Sequence, residues 1–375
     1  LRFLLHETIC VYCAALKKDN TMIDYALLRK HIITLAGLPE SDSPVISAYL
    51  DLQQPHAMAR ADFRAWASMG RQTFTSQQRR DFDDAIEEIE AWLPQAQGRG
   101  AAVFARWGEH PMMLPMTFDA PLETHFHVGP FPVIYPLVEL KDRFNRFVVV
   151  ITTAESAKII EVNLGAHSVE LLTDRPALRT RIGREWTRQH YMNHRRDRER
   201  AFLKEKVAVI QSLMAKRGHN SLIVAGDPRW VSSLVDALPK ALQDKVVSEI
   251  KTGFSDYRLG EIMDLAVEAF LQSEHEESLS TVERLIEAVR VGQLAAIGSL
   301  ATLRALREGR VSELVISTGL PHEEREELIR LASRQGIAIE TVQDCGLLDA
   351  NGGVGALLRY DVPTLENIGE PLPVA

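Results

Sequence analysis

Hydrophobic and polar positions become orderly from Met22 onward. Apolar residues fall at helical spacing over 25–35, and a strand pattern follows at 45–50 behind Pro44. A long amphipathic stretch, roughly 59–93, sets Ile86, Ile89 and Leu93 on one helical face and is broken at Gly98 and Gly100. Residues 101–104 read as a short buried strand and 124–128 as an alternating one. Gly129-Pro-Phe-Pro132 then predicts a turn into a short helix near Tyr135. Segments 147–152 and 157–162 are β-branched runs joined by a short polar turn, which predicts a hairpin, and 168–172 supply a third strand.

Further on, Leu203, Val207, Ile210 and Met214 are spaced four, three and four apart, one buried helical stripe. A strand at 222–225, a turn at Gly226-Asp-Pro228 and a helix at 230–238 follow. The acidic run 273–280 lacks large apolar residues except Leu279 and reads as a linker. Beyond it, helices around 282–289 and 300–306, a strand at 314–316, a helix at 323–334 and strands at 337–342 and 356–360 make an alternating α/β order. The chain therefore predicts an α/β protein of three domains: residues 22–141, 142–273 and 281–362.

Composition narrows the class. Of 375 residues, 46% are hydrophobic and 25% charged, which excludes a mostly disordered or collagenous chain. Three cysteines, Cys10, Cys13 and Cys345, exclude a disulfide framework and point to a reducing compartment. No apolar run is long enough to span a bilayer, and residues 1–16 lack a small-residue cleavage site, so a cytoplasmic protein with no membrane partner is expected. Residues 1–21 read as an extension upstream of the natural start.

Charge supplies the main functional signal. The formal net charge is −8, yet residues 175–206 hold nine Arg and two Lys against four acidic residues; that segment nets +7 and the remainder −15. Its members are Arg175, Arg179, Arg181, Arg184, Arg188, Arg195, Arg196, Arg198 and Arg200, interleaved with Trp186, His190 and Tyr191. Guanidinium groups make bidentate phosphate contacts, and aromatic rings stack on unpaired bases. The competing reading is a solvated helix face with i, i+4 ion pairs from Asp197, Glu199 and Glu205. The interleaved aromatics tip the reading toward RNA.

Other constellations are weaker. Phosphate-binding loops, dinucleotide fingerprints and nucleophile elbows are absent, and no cofactor is expected. Cys10-Val-Tyr-Cys13 has no second pair to complete a zinc site. His190 and His194 lack the glutamate of a zinc-protease helix. His125 and His127 point to one side of a strand, but no third ligand can be named, so no metal site is expected. The glycines of Asn351-Gly-Gly-Val-Gly355 precede a strand and predict a tight turn rather than a phosphate cradle.

Taken in order, Pro44-Val-Ile-Ser-Ala-Tyr-Leu-Asp51, Gly100-Ala-Ala-Val-Phe104, Gly129-Pro-Phe-Pro132, residues 147–165, Leu222-Ile-Val-Ala-Gly226, residues 305–317 and Gly353-Val-Gly-Ala-Leu-Leu-Arg-Tyr360 resemble a known family. It is the bacterial branch of the archaeal-eukaryotic class-1 peptide chain release factor and Pelota superfamily. The resemblance implies an N-terminal α/β domain and an RNase H-like middle domain with a mixed sheet and a catalytic loop. It also implies a C-terminal α/β/α sandwich resembling kink-turn-binding ribosomal proteins. It implies the ribosome as partner, through ribosomal RNA and peptidyl-tRNA, and a translational GTPase docking on the third domain. Release factors carry Gly-Gly-Gln in the middle-domain loop, and many bacterial members carry Gly-Gly-Trp-Ser-Gln. Here the matching positions are Arg184, Glu185, Trp186, Thr187 and Arg188, so both glycines and the glutamine are replaced, and Gln189 lies one place later. The expected function is a ribosome-associated translation factor acting in rescue, release or hibernation. The alternatives are a peptidyl-tRNA hydrolase acting through Gln189, and a non-ribosomal RNA-binding protein of the same fold.

Overall fold

The computed structural model describes residues 23–41, 43–108, 111–154, 156–174, 188–252 and 259–360. The chain forms two compact units, one built from residues 1–143 with 275–375 and the other from 144–274. The described strands fall into three separate sheets.

In the first unit, α1 (Tyr25–Ala36) starts where Asp24 Oδ1 accepts the Leu27 N–H at 2.7 Å. β1 (Val45–Asp51) follows. The amphipathic stretch expected as one helix is two, α2 (His56–Gly70) and α3 (Ser76–Trp92). Thr75 and Gln78 form a capping box that starts the second helix, a local signal that outweighs the continuous periodicity. β2 (Gly100–Arg106), β3 (Met112–Phe118), β4 (His125–Gly129) and α4 (Tyr135–Arg143) complete this part. The sheet runs β3-β2-β1-β4, all antiparallel. The sequence reading missed β3 because it contains Pro115, and proline is tolerated there because β3 is an edge strand. One face of the sheet buries Ile46, Ala48, Leu50 and Val103 against Ala59, Phe63, Phe82 and Ile89 of α2 and α3.

The second unit opens with the expected hairpin, β5 (Phe147–Thr152) and β6 (Ser156–Asn163), paired with Phe147 opposite Val162. β7 (Ala166–Asp174), α5 (Arg188–Arg217), β8 (Ser221–Gly226), α6 (Pro228–Ala237), a one-turn α7 (Lys240–Gln243) and β9 (Val246–Lys251) follow. The five-stranded sheet has the order β7-β6-β5-β8-β9; β5, β8 and β9 are parallel, and β6 and β7 run against them. One face packs Val148, Val150, Leu222 and Val224 on Ile210 and Met214 of α5 and Val231 and Leu234 of α6. The other packs Phe147, Val149, Ile151 and Ile223 on Ile262, Ala266 and Phe270 of α8 (Leu259–Arg290). Gly226 has φ +125°, and a Cβ there would stand 2.2 Å from the Thr152 carbonyl oxygen, so the parallel pairing at this point admits only glycine.

α8 corrects the linker expectation. It runs unbroken through 273–280, because that run has neither Gly nor Pro and its glutamates favour helix. Few apolar residues there meant little burial, not an end to the helix.

The rest of the first unit comprises β10 (Ala295–Ile297), α9 (Ser299–Arg307), β11 (Val311–Ser317), α10 (His322–Arg334), β12 (Ala338–Val342), a one-turn α11 (Gly346–Asp349) and β13 (Val354–Leu358). Its sheet order is β10-β13-β11-β12, with only the β11–β12 pair parallel. Gly352 and Gly353 both have positive φ and form the tight turn expected before β13.

Polar contacts join this part to the first part of the unit. Glu326 on α10 accepts the Ile134 and Tyr135 N–H groups at 2.9 and 3.1 Å, capping the start of α4. Asp142 Oδ2 accepts from the Thr341 N–H and Oγ1 at 2.6 and 2.7 Å, and Gln343 Nε2 donates to Glu139 at 2.6 Å. The Arg325 guanidinium lies 3.8 Å from the centre of the Tyr135 ring.

Candidate nucleic-acid interface

The basic segment starts where β7, at the edge of its sheet, ends at Asp174 opposite Ser156. Arg175, Arg179, Arg181, Arg184 and Trp186 lie outside the described residues. Arg188, Gln189, His190, Tyr191, Arg195 and Arg196 fall on the first turns of α5, and their side chains are likewise outside the description. Arg198 and Arg200 are exposed on the same helix.

α5 has two halves of different chemistry. Its sheet-packing stripe begins at Phe202 and continues through Leu203, Val207, Ile210 and Met214, all buried or partly so against the sheet. The 14 residues from Arg188 to Ala201 hold five of the arginines and extend about 21 Å at the helical rise. The core thus anchors the second half, and the first half carries the charge.

Lys206, counted with the basic segment by sequence, belongs to the core instead. It is 2% exposed, donates from Nζ to Thr152 Oγ1 at 2.8 Å and to the Thr153 carbonyl at 3.0 Å, and lies 4.2 Å from the centre of the Phe202 ring. Its charge is spent inside the protein and offers nothing to a phosphate. Lower on α5, Arg217 pairs with the buried Glu161, and the fully buried His219 sets Nε2 3.0 Å from the other oxygen of that carboxylate. Burial holds His219 below its usual range, which favours the neutral ring.

The histidine pairs differ in outcome. His190 and His194 lie on α5 at i, i+4, with side chains outside the description. His125 and His127 share a face of β4, and the tertiary structure brings a third ring beside them, His322 at the start of α10. The ring centres are 6.1 Å apart for His125–His322 and 5.6 Å for His127–His322. As the side chains stand, no three His, Cys, Asp or Glu among the described residues converge to hold a metal ion. Cys10 and Cys13 lie outside the described residues, and Cys345 is buried. Among the described residues no helix is long and apolar enough to cross a membrane.

Sequence reasoning missed a group of buried acids in the first unit. Burial pushes Glu326 and Glu340 up to about 7 and raises Asp142 as well. Glu340 also accepts from Ser278 Oγ at 2.5 Å. No local pattern marks these residues, because their partners lie about 60 to 200 positions away.

Residues 132–271 match the family described as bacterial archaeo-eukaryotic release factor family 10, a span that contains the second unit and the whole basic segment. A protein pelota homolog of Pyrococcus furiosus is 26% identical over 187 residues, covering 46% of this chain and 52% of that protein. The chain thus spans about half the length of this curated relative. Among solved structures, S. cerevisiae Dom34, a translation termination-like factor, is similar at 14% identity and TM-score 0.43, over 71% of this chain and 82% of that one. The archaeal translation termination factor aRF1 is similar at 16% identity and TM-score 0.29, over 90% and 99%. With the family match lying across its basic segment, the chain belongs to the release factor/Pelota superfamily, in its bacterial branch.

Proposed function

We propose that the protein is a ribosome-associated translation factor that enters the A site and directs the basic segment, residues 175–200, at ribosomal RNA near the peptidyl-transferase centre. One observation carries this reading: the family match spans the segment in which the charge of the chain is concentrated. The division of α5 supports it, since a helix anchored from Phe202 onward can present Arg198, Arg200 and the preceding arginines without disturbing the core. The first half of such a helix also directs its positive dipole end toward phosphate.

The proposal includes a structural role rather than hydrolysis. Arg184, Glu185 and Arg188 stand where the family places two glycines and a glutamine. Arginine donates hydrogen bonds but cannot accept a proton from an attacking water. Occupancy of stalled or idle ribosomes, in rescue, release or hibernation, then follows from binding alone. The three-domain division at 22–141, 142–273 and 281–362 belongs to this proposal, with the third domain as the docking face for a translational GTPase.

Cosedimentation with ribosomes from growing and starved cells tests it. The expected result is salt-sensitive association that is lost when Arg195, Arg196, Arg198 and Arg200 are changed to glutamate. A chain that stays at the top of the gradient under both conditions refutes the reading.

A further inference from the structure

His125 and His127 occupy alternate positions of β4 and therefore point to one side, and His322 reaches them from α10. We propose that these three imidazoles form a binding site for a divalent transition-metal ion of the zinc type. The site is independent of the ribosomal reading, since it lies in the first unit and uses none of the basic segment.

The argument is geometric. Zinc–nitrogen bonds of about 2.0–2.1 Å at a tetrahedral angle hold the centres of two ligating rings about 5.2 Å apart. The observed separations of 5.6 and 6.1 Å exceed this by under 1 Å. The rings do not converge as they stand, and turning them about their side-chain bonds closes a gap of that size. His127 has room to turn. Its ring lies over Gly129, with Nε2 only 2.8 Å from where a Cβ would be, so the absent side chain is what lets it fold away from the other two. His125 is exposed and the other two rings are half-buried, which leaves a side open for a water as fourth ligand.

The surroundings agree. Burial and neighbouring charge hold all three histidines below their usual range, so they are neutral at pH 7, the form that ligates. Arg325, the nearest cation, is held by the Tyr135 ring and by donating to the Thr318 carbonyl at 2.6 Å. A bound ion would link β4 to α10 and so join two stretches of the chain nearly 200 positions apart.

The test is titration of the chelator-treated full chain with Zn2+ against a chromophoric competitor, together with Co2+ absorption spectroscopy. One equivalent should bind, with the visible bands of tetrahedral nitrogen and oxygen ligation and no thiolate charge-transfer band. Zn2+ should raise the Tm of the wild type. His322→Ala and His125→Ala should each weaken binding about tenfold or more and abolish the rise. His125 is exposed, so its variant carries the test if His322→Ala fails to fold. Unchanged affinity in the His125 variant overturns the proposal. So does binding that shows thiolate bands and vanishes in a Cys10→Ser, Cys13→Ser chain, or in a His190→Ala, His194→Ala chain, while the proposed ligands remain intact.

Discussion

Replacing Glu326 by glutamine tests how the two parts of the first unit are joined. The carboxylate takes the N–H of Ile134 on one oxygen and that of Tyr135 on the other, at 2.9 and 3.1 Å. Burial outweighs these bonds and lifts the carboxyl from 4.5 to about 7. A carboxyl raised in the folded state binds its proton more tightly there than in the unfolded chain. Its contribution to stability is therefore full below pH 4.5 and is lost as pH rises through about 7. Integrated from pH 5 to 8.5, a shift of this size amounts to roughly 2–3 kcal/mol. Glutamine cannot ionise, but it offers one acceptor oxygen where two are used, which costs about 1 kcal/mol at every pH. Glu326→Gln should thus be less stable than wild type at pH 5 and at least as stable at pH 8.5. Urea unfolding midpoints followed by circular dichroism across that range measure this. Glu340 titrates in the same direction, but the difference between the two proteins cancels it. A difference that does not change with pH would refute the reasoning, because it would mean that the folded and unfolded carboxyls have the same proton affinity.

Charge reversal at Arg195, Arg196, Arg198 and Arg200 should lower the salt dependence of ribosome binding by roughly one logarithmic unit of slope per lost phosphate contact, read from cosedimentation between 50 and 200 mM salt. Single-turnover assays on ribosome-bound peptidyl-tRNA should show little hydrolysis; a robust rate that collapses in Gln189→Ala and survives Arg188→Ala would make the protein a hydrolase instead. Gly226→Ala should destabilise the second unit by more than about 3 kcal/mol or abolish its folding, since the added Cβ meets backbone of the paired strand at 2.2 Å; thermal melting measures it. Thr75→Ala should cost about 1 kcal/mol through loss of the α3 cap, measured by the same melt.

The sequence by itself determined the elements whose signals are local. The β5–β6 hairpin, the stripe of Ile210 and Met214, the glycine turn before β13 and the α/β class were legible because periodicity and turn chemistry act over a few residues. So was the concentration of arginine, which is a matter of counting. Its local reading failed where one local signal masked another: the Thr75 cap inside a continuous amphipathic pattern, Pro115 in an edge strand, and an acidic run that is helical although poor in apolar residues. Only the tertiary structure decided which charges are spent inside the protein. Lys206 is indistinguishable by sequence from its exposed neighbours on α5, yet it is buried against Thr152 and Phe202. Likewise His322 lies 195 positions from His127, and Glu326 lies 192 from the helix start it caps. Contacts of that span are set by packing between elements, which no pattern along the chain encodes.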